Sequence, residues 1–427
     1  MNYEEALVHI SQQGRFGMKL GTERISAILD RLGNPERRFR GALIAGTNGK
    51  GSTGACLAAI ARAAGRDVGF MPKPHLISYT ERIELNGRPI TEREFVDTLE
   101  QLIPTFDAIA GDMGQATEFE MLTALAVAFL APRTDLLVCE VGLGGRLDAT
   151  NALDLGVAVV TNVDLDHQKY LGDTIAKIAA EKAAIIKHGN RVITGCEGEA
   201  LRIVEDRAAE VSASVWRLGR EIEVTSTSRG WEGHRMSVIG PGFEHRELDL
   251  HLIGEFQPMN AGLAVAAAHA MFDVTDEAVR AGLAATRWPG RLQLVSAEPR
   301  VVLDGGHNPA ALRSAGASLR SLIGRDRLVV VFAMLTERDP HQLLSALRTL
   351  EPAAAVFTEP ASAAGHAVSA TALAELYGPG AVAVVPAGEA LGRARDVAGG
   401  TGNVLVCGSL YLVGEILALY ESGAAAR

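Results

Sequence analysis

Runs of apolar residues alternate with stretches of helical periodicity along most of the chain. GALIAG (41–46) is continuously apolar and is followed by a glycine-rich turn and a helical stretch, STGACLAAIARAAG. DLLVCEVG (135–142), GVAVVTNVD (156–164) and RVITG (191–195) repeat the strand signature. Apolar runs without polar alternation mark strands buried on both faces, so the pattern predicts a mostly parallel sheet covered by helices. Residues 214–253 differ. They alternate with period two between turn signals, which predicts a small antiparallel β-subdomain. NAGLAVAAAHAMF (260–272) returns to a helical pattern, and RWPGRL (287–292) then breaks it with Pro and Gly, placing a linker there. Beyond the linker, VVLDG (301–305), RLVVVFAM (327–334), AAAVFTE (353–359), AVAVV (381–385) and NVLVCG (403–408) alternate with helices. These strands predict a second, smaller, doubly wound unit.

Length and composition narrow the class. A chain of 427 residues exceeds one comfortable core, so two domains are expected. The net charge of −10 argues against a broad nucleic-acid surface, which needs clustered Lys and Arg. Cys56, Cys139, Cys196 and Cys407 are scattered, with no C-x-x-C pair, so they read as buried reduced thiols of a cytoplasmic protein. The N-terminal MNYEEALVHI is acidic and amphipathic, unlike a signal peptide, and the tail GAAAR reads as a frayed end. No apolar run reaches the roughly 18 residues of a membrane span, so no membrane association is expected.

The chemistry begins at AGTNGKGST (45–53), directly between the first strand and its helix. Glycines let backbone N–H groups close round phosphates, and the helix N-terminus adds partial positive charge. Lys50 supplies a cation at the terminal phosphates, and Ser52 or Thr53 is within reach of Mg²⁺. Asn48, Gly49, Lys50, Gly51, Ser52 and Thr53 are therefore the nucleotide-binding candidates. The fold class is read as α/β: an N-terminal phosphate-loop domain (1–290) with a mostly parallel sheet and the small β-subdomain (214–253), then a smaller doubly wound C-terminal domain (291–427).

The loop G-T-N-G-K-G-S resembles that of folylpolyglutamate synthases and bacterial dihydrofolate synthases, within the Mur ligase superfamily. The resemblance extends through F-G-M-K-L-G-T-E-R-I (16–25), P-H-L-I-S-Y-T-E-R-I (74–83), T-E-F-E-M-L-T-A (117–124) and E-V-G-L-G-G-R-L-D-A-T-N (140–151). It continues through T-N-V-D-L-D-H (161–167), E-K-A-A-I-I-K (181–187), F-Q-P-M-N-A (256–261), W-P-G-R-L (288–292), D-G-G-H-N-P (304–309) and G-S-L-Y-L-V-G-E (408–415). It implies ATP-dependent addition of L-glutamate to dihydropteroate and to folates. A carboxylate attacks the γ-phosphate to give an acyl phosphate and ADP, and the glutamate amine then displaces phosphate. Little covalent chemistry falls to such a protein; its work is positioning and charge neutralisation.

The resemblance also assigns residues. Glu140, at the end of a buried strand, and Ser52 hold one Mg²⁺, and His167 binds a second; the alternatives are a turn-capping Glu and a loop histidine. Lys182 becomes carbamylated by CO₂, which demands a neutral amine and hence burial. Asn260, Arg291 and Asp304 hold ATP, with His307 in the same loop as Asp304 as a catalytic candidate. Lys19, Phe119, Glu120, Asp148 and the 74–83 loop face the pteroate or folate. A monomer is expected.

One position departs from the family pattern. T-S-P-H-L becomes P-K-P-H-L, with Lys73 where a serine helps hold Mg²⁺. A protonated lysine cannot ligate a metal. Lys73 either turns toward phosphate or substrate carboxylate or leaves Mg²⁺ to Ser52, Glu140 and water; reduced ligase activity is the rival outcome. Y-T-E-R-I favours a bifunctional enzyme. The alternatives are a single-activity folylpolyglutamate synthase, another Mur-type amino-acid ligase, or a nucleotide-binding protein with impaired catalysis.

Overall fold

Strand β1 (Arg40–Ala45) is buried at every position after the first, as its unbroken apolar run requires. In the computed structural model, which describes residues 1–14, 21–363 and 365–423, β1 lies inside an eight-stranded sheet. The other strands are β2 (Gly69–Met71), β3 (Glu84–Leu85), β4 (Arg88–Pro89), β5 (Leu136–Glu140), β6 (Gly156–Val160), β7 (Arg191–Thr194) and β8 (Ser214–Arg217). Their order is β4-β3-β2-β5-β1-β6-β7-β8. Every pairing from β2 to β8 is parallel, and β3 and β4 form a short antiparallel edge. The register sets Ile44 beside Glu140 and Ala45 beside Val160. The carboxyl ends of β5, β1 and β6 therefore adjoin, which is where open parallel sheets bind ligands. Leu43, Leu125, Leu137, Ala158 and Val192 belong to the core that anchors this edge.

One strand of the expected β-subdomain belongs elsewhere. Residues 214–217 form β8, parallel to β7, because helix Gly198–Glu210 returns the chain for one more crossover. The small sheet is instead β9 (Glu223–Ser228), β10 (His234–Gly240) and β11 (Phe243–Leu250), in the order β11-β10-β9. In β10, His234, Met236 and Val238 are buried and alternate with less buried neighbours, the period-two pattern of a strand with one covered face.

A six-stranded sheet follows: β12 (Gln293–Ala297), β13 (Arg300–Leu303), β14 (Leu328–Phe332), β15 (Ala354–Phe357), β16 (Ala381–Ala383) and β17 (Asn403–Cys407). The order is β12-β13-β17-β14-β15-β16. β12 runs antiparallel to β13, and the remaining pairings are parallel. Phe332 and Phe357 meet edge to face in its core, with ring centroids 5.9 Å apart.

The chain forms two compact units. One comprises Met1–Ser226, Met236–Leu250 and Pro258–Thr286; the other comprises Thr227–Arg235, His251–Gln257 and Arg287–Arg427. The segments 227–235 and 251–257, assigned from sequence to the first domain, thus group with the second unit: Trp231, Ile253 and Phe256 pack into its core. Among the described residues, no helix is long and apolar enough to cross a membrane. Lys19 and most of the GAAAR tail lie outside the described residues.

Candidate active site

β1 ends in Gly46, whose φ of 153° brings the backbone against Thr161; a Cβ there would lie 1.8 Å from Thr161 Oγ1. Only glycine fits such an approach. Thr161 donates its hydroxyl to the Asn48 carbonyl at 2.6 Å, and Asn48 N–H donates to Asn162 Oδ1 at 2.9 Å. Gly49 then takes a left-handed conformation, φ 85°, and opens helix Lys50–Ala63 without any side-chain cap. A Cβ on Gly49 would lie 2.4 Å from Oδ1 of Asn260, a buried residue of helix Gln257–Met271. The loop is thus braced by β6 and its following turn, while the N–H groups opening its helix carry no side-chain cap.

Two ammonium groups converge on one carbonyl. Lys50 Nζ donates to Gly46 O at 3.1 Å and to Thr47 O at 3.2 Å, and Lys182 Nζ donates to the same Gly46 O at 2.9 Å. Glu140 Oε1 stands 3.9 Å from Lys50 Nζ. Burial pushes the Lys182 amine down to about 7, and the neighbouring Lys50 charge adds to the shift. Lys182 sits near the end of helix Ile175–Ala183 and is 5% exposed. Gly51, Ser52 and Thr53 are buried in the first turn of the loop helix. The Thr53 hydroxyl is enclosed without a hydrogen-bond partner.

Glu140 is buried, and its Oε2 accepts the Lys73 N–H at 3.0 Å. His167 is half-buried with φ 50°, opens the short helix Gln168–Leu171, and donates its N–H to Asp166 Oδ1 at 2.7 Å. Among the described residues, no group of three or more His, Cys, Asp and Glu is placed to hold a metal. The donors at this edge are a carboxylate and hydroxyls. That set suits a hard cation that keeps several waters, which is the habit of Mg²⁺.

The acceptor candidates separate into two kinds. Glu120 and Asp148 are bonded within the scaffold. Glu120 is buried, pairs with Arg24 Nε at 2.8 Å, and closes a capping box with Thr117 at the start of helix Glu118–Leu130. Asp148 accepts from Gly142 N–H at 3.1 Å and Leu143 N–H at 2.9 Å with one oxygen, and from Thr150 with the other. Asp148 thus gives both oxygens to its own scaffold, whereas Glu120 gives Oε2 to Arg24 and Thr117 and keeps Oε1 enclosed without a partner. Phe119 and Lys73 behave otherwise. The half-buried Phe119 ring faces the Lys73 ammonium, 4.1 Å from its centroid. Lys73 Nζ is enclosed and makes no hydrogen bond. In the adjoining 74–83 loop, Arg82 Nε donates to His75 Nδ1 at 2.7 Å, and Tyr79 OH donates to Glu118 at 3.0 Å.

In the second unit, Asp304 follows β13 and is buried. Its Oδ2 accepts Leu292 N–H at 3.0 Å and its Oδ1 accepts Gly306 N–H at 2.8 Å. Burial raises its pKa, and the Arg291 guanidinium opposes the rise. Arg291 Nη1 donates to Gly290 O at 3.0 Å and crowds Gly305, where a Cβ would meet it at 2.2 Å. The half-buried His307 holds its Nδ1 2.8 Å from Gly305 O.

Residues 44–268 match the Mur ligase middle domain, and residues 290–410 match the Mur ligase glutamate ligase domain. The dihydrofolate synthase/folylpolyglutamate synthase of Bacillus subtilis is 34% identical over 357 residues, 82% of this chain and 83% of that protein. The chain belongs to the folylpolyglutamate synthase/dihydrofolate synthase family of Mur ligases. The Mycobacterium tuberculosis folylpolyglutamate synthase, solved with ADP and AMPPCP, superposes with a TM-score of 0.92 at 32% identity, covering 98% of each chain. A bifunctional folylpolyglutamate synthase/dihydrofolate synthase, solved with Mn, AMPPNP and L-glutamate, gives a TM-score of 0.86 at 30% identity over 99% of this chain and 98% of that one. A probable bifunctional folylpolyglutamate synthase/dihydropteroate synthase of Halobacterium salinarum is 36% identical over 97% of this chain, which spans 51% of that protein.

For a folylpolyglutamate synthase/dihydrofolate synthase chain, the residues missed from sequence are Thr161 and Asn162, which brace the loop. They lie in the same T-N-V-D-L-D-H stretch that singled out His167. Their signal was a side-chain hydroxyl and amide at the end of a buried strand next to the loop strand.

Proposed function

We propose that this ligase joins L-glutamate to dihydropteroate and to folates at the expense of ATP, acting as both dihydrofolate synthase and folylpolyglutamate synthase. The observation that carries the proposal is the Lys50 ammonium, beside the Lys182 amine, on Gly46 O at the uncapped helix N-terminus, a site that favours phosphate. The family relatives, and the nucleotide, manganese and glutamate of the solved structures, support the same reading.

In this reading Asn48 to Thr53 and Asn260 hold the triphosphate, and Lys50 stabilises the charge that builds on the transferred phosphoryl group. A carboxylate oxygen of the acceptor attacks the γ-phosphorus and ADP departs. The glutamate amine then attacks the acyl carbon, loses a proton, and phosphate leaves. Glu140, Ser52 and His167 are the residues that would hold Mg²⁺, which supplies charge neutralisation at the phosphates. An amine with a pKa near 7 is largely neutral at slightly alkaline pH, so Lys182 suits reaction with CO₂. In the second unit Arg291 and Asp304 serve the nucleotide, and His307 serves the amino-acid step. Four free, buried cysteines fit a cytoplasmic setting, and the working form is a monomer.

The test is product mass analysis with ATP, L-glutamate and either dihydropteroate or a reduced folate. Glutamate addition to both acceptors supports the proposal. Addition to reduced folates alone would make this a single-activity synthase. ADP release that ignores both acceptors would overturn the folate reading.

A further inference from the structure

Lys73 carries an ammonium that the protein leaves unserved. It has three N–H donors, is enclosed, and bonds to nothing. The oxygens nearby are already taken. Asp148 gives both to Gly142, Leu143 and Thr150; Glu140 gives one to the Lys73 backbone N–H and turns the other to Lys50. Burial pushes the amine's pKa down from the usual lysine value, Arg82 adds to that, and Asp148 and Glu140 oppose it. The Phe119 face is the contact that remains, at 4.1 Å. That ring is itself fixed, since it fills the space a side chain on Gly142 would need, with Phe119 Cζ 2.8 Å from an ideal Cβ. A cation resting on an aromatic face gives up one ring contact and no hydrogen bond when it turns away. An arriving anion returns charge-assisted hydrogen bonds, which are the stronger interaction.

The anion is further defined by position. Lys50 and Lys182 already serve the phosphate loop. Glu140 faces Lys50 with Oε1 and the Lys73 backbone with Oε2, so it divides the phosphate side from the Lys73 side. An acid bound on the other side of Glu140 from the phosphate would meet the Lys73 ammonium. We propose that Lys73 receives the reacting carboxylate of the acceptor, turning from the Phe119 ring to bind the acid that becomes acylated. This deepens the folate-ligase reading and rests on it. Lys73 then sets affinity for the acceptor and leaves affinity for ATP unchanged.

The experiment measures binding of dihydropteroate and of its methyl ester, whose carboxylate is blocked, to the full chain and to Lys73→Met and Lys73→Arg, with ATP affinity and steady-state turnover in parallel. Lys73→Met is expected to weaken dihydropteroate binding by about tenfold or more, the scale of one charged hydrogen bond. Ester binding and ATP affinity should stay the same, and Lys73→Arg should recover part of the loss. In turnover the acceptor KM should rise and the ATP KM should not. Unchanged dihydropteroate binding in Lys73→Met overturns the proposal, as does an equal loss for acid and ester. A loss of ATP affinity as large as that for the acid assigns Lys73 to the phosphates and overturns it too. Intact ATP binding shows that the variant is folded. If the native chain itself shows no turnover dependent on acceptor and glutamate, the folate-ligase reading fails instead.

Discussion

Two turns in this chain share a topology and have opposite electrostatics. In each unit a buried strand ends, glycines follow, and a long helix begins: β1 into Lys50–Ala63, and β13 into Pro309–Ile323. The first turn gathers cations, with Lys50 and Lys182 on one carbonyl, and its helix has no side-chain cap. The second turn gathers a buried carboxylate, Asp304, whose oxygens are used by backbone N–H groups, and Asn308 caps the helix by accepting from Ala311 N–H at 2.8 Å. The side-chain cap closes the helix N-terminus of the second turn from within its own chain. An uncapped, cation-rich turn leaves donors for something else. Strand–glycine–helix connectivity therefore does not by itself make a phosphate site; the partner of the helix N-terminus does.

The contrast is open to test. Lys50→Ala should lower ATP turnover on the order of 10³-fold, since a donor aimed at developing charge is removed; ADP release under saturating substrates measures it. Little change would mean that the first turn is as closed as the second. Gly49→Ala should cost about 1–3 kcal/mol of stability and impair nucleotide binding, because the residue has positive φ and its Cβ would meet Asn260. Denaturant unfolding and nucleotide titration report on each.

Lys182→Met should abolish turnover and yet change the pH dependence of stability. The folded amine has a pKa of about 7 against 10.5 in its ordinary state. Between those values the unfolded chain holds a proton that the folded chain has released, so this group makes stability rise with pH across the window. Below it the charged amine is buried at full cost. Unfolding free energies from pH 7 to 10 should show a shallower rise in the variant, and an unchanged slope would contradict the buried setting. The smallest effect is expected at Asn308→Ala, a loss of about 1 kcal/mol from one helix cap. Nucleotide affinity should not move; if it fell, the cap itself would bear on the nucleotide.

Much of the fold was legible because buried parallel strands announce themselves as apolar runs, and β1, β5, β6, β7, β13, β14, β15 and β17 all do. β2, β3 and β4 escaped because two or three residues carry no periodicity. β8 was misgrouped because an edge strand with no fully buried position lacks the apolar run of its neighbours. Within the site, the phosphate loop was legible from its own residues. At Glu120 a T-x-x-E capping box and a substrate carboxylate have the same spelling, and the Arg24 partner, 96 positions away, is visible only in the fold. The bonds of Asp148 were hidden for a related reason, since the N–H groups it serves lie in a glycine loop whose shape the sequence does not display.

By itself the sequence determined the alternation of strands and helices, the glycine turn after β1 and the lysine inside it, because each is a local pattern of burial or backbone freedom. Tertiary structure decided which lysines act together and which carboxylates are already engaged. Lys182 reaches Gly46 O from 136 positions away, and the Lys73 ammonium lies against Phe119 with no hydrogen bond. Charge, desolvation and partner are properties of the folded neighbourhood, and no spacing along the chain encodes them.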